Sequence, residues 1–185
     1  GPMSDTLKFV VMSDLHLVRE GETSMSLDTA ARLEAAVACV NDRYADADFV
    51  IIAGDLADEG EAEAYERLKT ITAGITVPTY ITLGNHDDRP TYLNIFGAHH
   101  ADETGKINHV IDAKGYRVIV LDSSEPGRVD GVLTEGQMDW LRARLAEALG
   151  RVLAEPISSQ IRSLAASACK AARVSSCSSC RSTLR

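Results

Sequence analysis

Aromatic residues are scarce in this 185-residue chain, where one tryptophan, three phenylalanines and five tyrosines make up 5% of the sequence. A stacking surface for single-stranded nucleic acid needs aromatics interleaved with basic residues, and no stretch offers that. Cysteine is also sparse. Three of the four (Cys169, Cys177, Cys180) lie near the C-terminus, so no disulfide framework spans the chain. Cys39 sits alone in an apolar helical pattern and reads as a packed core thiol. Cys177-Ser178-Ser179-Cys180 has CxxC spacing, but without a second pair it is assigned neither zinc nor redox chemistry. No apolar run approaches the roughly 20 residues of a membrane span, and no basic segment leads into an apolar one after Met3. The expectation is a cytoplasmic protein with no membrane partner.

Acidic residues are missing from one region only. All 27 lie before residue 156, while residues 156–185 keep Arg162, Lys170, Arg173, Arg181 and Arg185. The net charge of −8 therefore understates an acidic body, which disfavours nucleic-acid partners and repels phosphate unless metal ions reverse the local sign. The 45% hydrophobic and 25% charged fractions suit one globular domain. That domain is expected over residues 3–150. Residues 151–185 form a Ser/Arg/Cys-rich tail without strand patterning, for which the composition predicts disorder, a loose helix or a shifted reading frame.

What is present is a recurring design. Phe9-Val10-Val11-Met12-Ser13-Asp14-Leu15-His16 is an apolar β-like run ending in a carboxylate and an imidazole. On an extended backbone, positions i and i+2 share a face, so Asp14 and His16 are expected to reach one metal ion. Phe49-Val50-Ile51-Ile52-Ala53-Gly54-Asp55 and Tyr80-Ile81-Thr82-Leu83-Gly84-Asn85-His86-Asp87 repeat the pattern. Between them, Ala30 to Val40 and Glu61–Ile71 have helical spacing, the first capped by Ser26 or Asp28. The order β-α-β-α-β, with crossovers this long, predicts a parallel sheet. Pro90–Phe96 reads as a short helix, Ile107–Asp112 and Tyr116–Asp122 as a hairpin, and Glu135–Leu149 as an amphipathic helix capped by Thr134.

Each ending has an ordinary reading of its own, since Asp-x-His occurs at caps and Gly-Asp after a strand is a common turn. Three of them at the C-terminal edge of one parallel sheet, where ligands bind in open α/β folds, favour a functional reading. The carboxylate, imidazole and amide set, lacking thiolate, suits Mn, Fe, Zn, Mg or Co. Asp55, on the middle strand, is placed to bridge two ions. Two metals at roughly 3.5–4 Å clamp a phosphoryl group for in-line attack by a metal-held hydroxide.

These motifs, Asp14-Leu15-His16, Gly54-Asp55 and Gly84-Asn85-His86-Asp87, resemble in order those of the calcineurin-like metallophosphoesterases. Asp88-Arg89, Leu121-Asp122-Ser123-Ser124, Gly131-Val132-Leu133 and Trp140-Leu141 resemble the branch of class III cyclic nucleotide phosphodiesterases and glycerophosphodiesterases. The resemblance covers roughly Lys8 to Leu149. It implies an α/β (α+β) αββα sandwich with the N-terminal sheet present and the second sheet incomplete. It implies that Asp14 and His16 bind a first metal, that Asp55 bridges, and that Asn85 binds a second metal and touches the phosphate. His86 would stabilise the transition state or protonate the leaving oxygen. The family's later His-His-Pro and Gly-His-x-His motifs are absent, and His99, His100 and His109 do not align with them. His99-His100 reads as surface loop and His109 as a sheet-face residue. The second of the two divalent metal sites is therefore expected to be weak.

The implied function is hydrolysis of a small phosphodiester, a 3′,5′-cyclic nucleotide or glycerophosphodiester. The rival expectation is a catalytically incompetent truncated or frameshifted fragment. It would expose the face that the second sheet covers and associate through it, as a homo-oligomer for example.

Overall fold

Three short apolar runs form the first sheet. β1 (Phe9–Met12), β2 (Phe49–Ala53) and β3 (Thr79–Thr82) pair in parallel in the order β1-β2-β3. The structure, a computed structural model, describes residues 6–154 and 163–167. Two helices make the crossovers. α1 (Thr29–Arg43) starts where the Asp28 carboxylate accepts the Ala31 N–H at 3.1 Å, so Asp28 rather than Ser26 is the cap. α2 (Ala62–Thr72) follows Glu61, and α3 (Arg89–Phe96) carries Pro90 in its first turn behind an Asp88 cap.

Every residue of β2 is buried, as a continuous apolar run predicts for a strand covered on both faces. Val50 and Ile52 pack on the helical side among Leu33, Val37, Tyr65 and Leu68. Phe49, Ile51 and Ala53 point the other way, onto Ile111, Val118 and Val120. Burying a large apolar side chain stabilises by about 1.5–3 kcal/mol, so this inter-sheet layer is a substantial part of the fold's stability.

The opposing residues belong to β4 (His109–Ala113) and β5 (Tyr116–Leu121), an antiparallel hairpin. Its turn residues Lys114 and Gly115 have φ of 50° and 79°, the two left-handed positions of a type I′ turn. α4 (Glu135–Ala154) covers the far face with Trp140 against Ile119 and Leu121. It opens with a capping box. Thr134 Oγ1 accepts the Gln137 N–H at 3.1 Å, and Gln137 Oε1 accepts the Thr134 N–H at 3.1 Å. The layers run helix, sheet, sheet, helix, the expected αββα sandwich.

Two expectations are corrected. The face of the first sheet is not bare, because the β4–β5 hairpin covers it and Phe49 is 1% exposed. The tail also contains a strand that patterning missed, β6 (Ser163–Ser167), parallel to β5 with Arg117 opposite Ser163. Its Ser-Leu-Ala-Ala-Ser sequence has no β-branched or aromatic residue, so backbone pairing rather than side-chain pattern identifies it. The rest of the tail, where Cys169, Cys177 and Cys180 fall, lies outside the described residues.

Candidate metal centre

The chain leaves β1 at Met12 and runs beside the loop after β2, joined to it by backbone bonds. Asp14 N–H donates to Gly54 O at 3.2 Å, His16 N–H to Asp55 O at 2.9 Å, and Leu17 N–H to Leu56 O at 2.9 Å. Asp14, His16 and Asp55 have φ of 57°, 46° and 50°. The extended i, i+2 geometry expected for Asp14 and His16 is therefore wrong, although their convergence is right. Left-handed turns aim the side chains, at a cost of about 1–3 kcal/mol each that the surrounding bonds must offset.

The third loop closes the arrangement. A β-carbon on Gly84 would overlap the backbone nitrogen and carboxylate of Asp55, so only glycine lets the two strand ends approach this closely. The His86 N–H donates to Asp55 Oδ1 at 3.0 Å, and Oδ2 lies 4.0 Å from His16 Nε2. Asp14 Oδ1 is also 4.0 Å from that nitrogen. Donors sharing one ion at about 2.1 Å lie no more than about 4.2 Å apart; His16 meets that limit with both carboxylates, and the three donor atoms lie within 4.8 Å of one another. His16 Nδ1 is buried without a hydrogen bond, 3.2 Å from Asp58 Oδ1 but poorly aligned with it. A half-buried imidazole with an unpartnered Nδ1 beside carboxylates suits a divalent cation.

Asn85 lines the same open cleft, of about 300 Å³, together with Asp14 and Asp55. The His86 ring meets that of His16 edge-on at 4.9 Å between centroids. Its Nδ1 lies 2.7 Å from the Asp58 carbonyl oxygen and donates to it. That bond holds the His86 pKa above the usual histidine range, and the carboxylates of Asp55, Asp58 and Asp87 add to the effect while partial burial opposes it. Asp58 was missed as a site residue. It stands three positions after Asp55 and groups with His16 and His86 as a second set of metal-capable donors.

Asp87 ties the loops together. Its carboxylate accepts N–H groups from Leu56, Ala57 and Gly84 and the hydroxyl of Tyr65, all between 2.9 and 3.1 Å. Burial pushes its pKa up to about 6 against the pull of those donors. The remaining histidines stay apart. His100 Nδ1 is 3.1 Å from the Tyr92 hydroxyl in a short 3-10 turn, Ala98–His100, rather than in an open loop. His109, on the sheet face as expected, donates from Nε2 to Ile81 O at 2.6 Å and so links the two sheets.

The calcineurin-like phosphoesterase family description matches residues 7–148. A probable cyclic nucleotide phosphodiesterase of Rhodopseudomonas palustris is 38% identical over 145 residues, 77% of this chain and 53% of the relative. The 3′,5′-cyclic adenosine monophosphate phosphodiesterase of Pseudomonas aeruginosa is 31% identical over 154 residues, 82% of this chain and 55% of the relative. A dimetal phosphatase from Danio rerio superposes with a TM-score of 0.59 at 18% identity, over 87% of this chain and 69% of that one, which shows a shared fold. The chain spans about half the length of the curated relatives it matches. Matched over most of its length, and with its three strand-end motifs brought to one cleft, the chain belongs to the calcineurin-like phosphoesterase family.

Proposed function

We propose that this chain carries the metal-dependent centre of a phosphodiesterase acting on a small diester, a 3′,5′-cyclic nucleotide or a glycerophosphodiester. The observation that carries the reading is the approach of Asp14, His16 and Asp55 to within one ion's reach beside Asn85 and His86. The family uses divalent metals, and the donor set fits them. Such ions supply Lewis-acid polarisation of the phosphoryl group and acidify a bound water.

The protein's own groups do the rest. Asp14, His16 and Asp55 would hold the first ion. Asp55, with one oxygen fixed by the His86 amide and the other turned toward His16, is placed to share a second ion with Asn85. The Asn85 amide orients a phosphoryl oxygen. His86, kept readily protonated by the Asp58 carbonyl, donates its proton to the leaving oxygen. Cyclic nucleotides and glycerophosphodiesters are intracellular metabolites, which favours a cytoplasmic setting. No helix among the described residues is long and apolar enough to cross a membrane.

The placement of His100 and His109 favours a second reading. Neither joins the centre, so a second ion shared by Asp55 and Asn85 would gain no ligand from them and would be held weakly, leaving a one-metal binder. Hydrolysis of bis(p-nitrophenyl) phosphate and cyclic AMP with added Mn²⁺, run with metal content by mass spectrometry, separates the two. Metal-dependent turnover supports the phosphodiesterase reading. One ion per chain without turnover supports the binder and rejects it.

A further inference from the structure

Arg89 stands directly after the Asn85-His86-Asp87-Asp88 run, and its guanidinium leaves the first sheet altogether. Nε donates to Asp122 Oδ2 at 3.1 Å and Nη2 to Oδ1 at 3.3 Å. The same Nη2 also reaches the carbonyl oxygen and hydroxyl of Ser124, at 2.9 and 2.7 Å. Asp122, directly after β5, is fully buried, and the Arg89 side chain is 15% exposed. A buried carboxylate needs a cation, but Asp122 has further partners in the N–H groups of Ile107 and Ser124 and in the Ser124 hydroxyl. The Arg89 fork therefore does more than neutralise. It fixes Ser124.

Ser124 belongs to the segment that completes the cleft. Ser123, Ser124 and Val129 line the space that Asp14, Asp55 and Asn85 line from the first sheet. The segment is closed by Val132 N–H donating to Ser123 O at 2.9 Å. Val129 is 85% exposed, an aliphatic surface within the cleft. The donors of the first sheet suit the phosphoryl group. Small hydroxyl residues and one valine suit its organic ester substituent.

We infer that Arg89 is a positioning residue for substrate selection, clamping the Ser123–Gly131 segment as the wall against which the ester group of the diester packs. The inference rests on the phosphodiesterase reading of the same cleft. Lysine cannot replace the fork, because an ammonium is a point charge that does not span Asp122 and Ser124 together.

Arg89→Lys is the test, read by amide hydrogen exchange and by binding to the Mn²⁺-loaded chain. The binding probes are inorganic phosphate and a slowly hydrolysed cyclic AMP phosphorothioate. The Ser124 and Val132 amides should exchange at least about tenfold faster, while the Leu56 and Ala57 amides on Asp87 stay unchanged. Phosphorothioate affinity should fall roughly tenfold to 10²-fold, the scale of a small misplacement, with phosphate affinity and metal content retained. Unchanged Ser124 and Val132 exchange, or equal losses for both probes, overturns the proposal. Val129→Ser, at an exposed site, guards against misfolding of the first variant. It should weaken the phosphorothioate selectively, and intact affinity there also overturns the proposal. A wild-type chain that binds both probes but hydrolyses no diester defeats the phosphodiesterase reading instead, and leaves the exchange and affinity results to decide on Arg89.

Discussion

The two sides of the cleft are held by different physics. The side from the first sheet is rigid and strained. Left-handed Asp14, His16 and Asp55 are zipped by backbone bonds, crowded by Gly84 and tied at their base by the Asp87 carboxylate. The side from the second sheet is a loop with two backbone bonds of its own, held at Ser124 by Arg89, Asp122 and Lys106. Side chains that must meet one ion tolerate little error, so their loops are fixed by many short-range bonds. A wall that meets a variable ester group needs only to be placed, and its residues can change without disturbing the donors.

The strongest way to break this comparison is through Asp55, which serves both proposed ions. Asp55→Ala should remove bound metal and lower turnover by more than about 10²-fold, read by mass spectrometry and bis(p-nitrophenyl) phosphate hydrolysis. His86→Gln should lower kcat by about 10²–10⁴-fold while the ion at Asp14, His16 and Asp55 is retained, because it removes a proton donor from outside that trio. Retained kcat in this variant would take the proton transfer away from His86. Gly84→Ala acts on geometry alone. The new methyl group must displace Asp55, and the expected loss is about 1–3 kcal/mol in urea denaturation, with weakened metal uptake.

The sequence made the first side of the cleft more legible than the second. Apolar runs marked β1, β2 and β3, and the residues ending them named Asp14, His16, Asp55, Asn85 and His86 as site candidates. Thr134 announced its helix, and the first helix start was narrowed to Ser26 or Asp28, because capping is local chemistry. The way Asp14 and His16 converge was not legible, since aspartate and histidine tolerate left-handed φ without a pattern that requires it. Asp58 and Arg89 were missed for a different reason. Asp58 meets His16 and His86 only after folding, and Arg89 meets Asp122 and Ser124 across 33 and 35 positions of chain. β6 was hidden because small residues carry no alternation to read.

The smallest effect concerns the join between the two sides. His109 Nε2 donates to Ile81 O, which links β4 to β3, and burial holds its pKa below the ordinary 6.5. With the folded pKa depressed, the unfolded chain takes up a proton first as pH falls. Stability is therefore full above about 6.5 and is lost between that value and the lower folded pKa. His86 and Asp87, whose pKa values are raised, contribute in the opposite sense, so the wild-type curve alone does not isolate His109. The difference between wild type and His109→Gln does. Urea midpoints measured from about pH 8 to pH 5 should show a modest acid-side loss in the wild type that the variant lacks. Parallel curves would mean that the His109 bond is equally available to the charged ring, and that acid does not loosen the second sheet from the first.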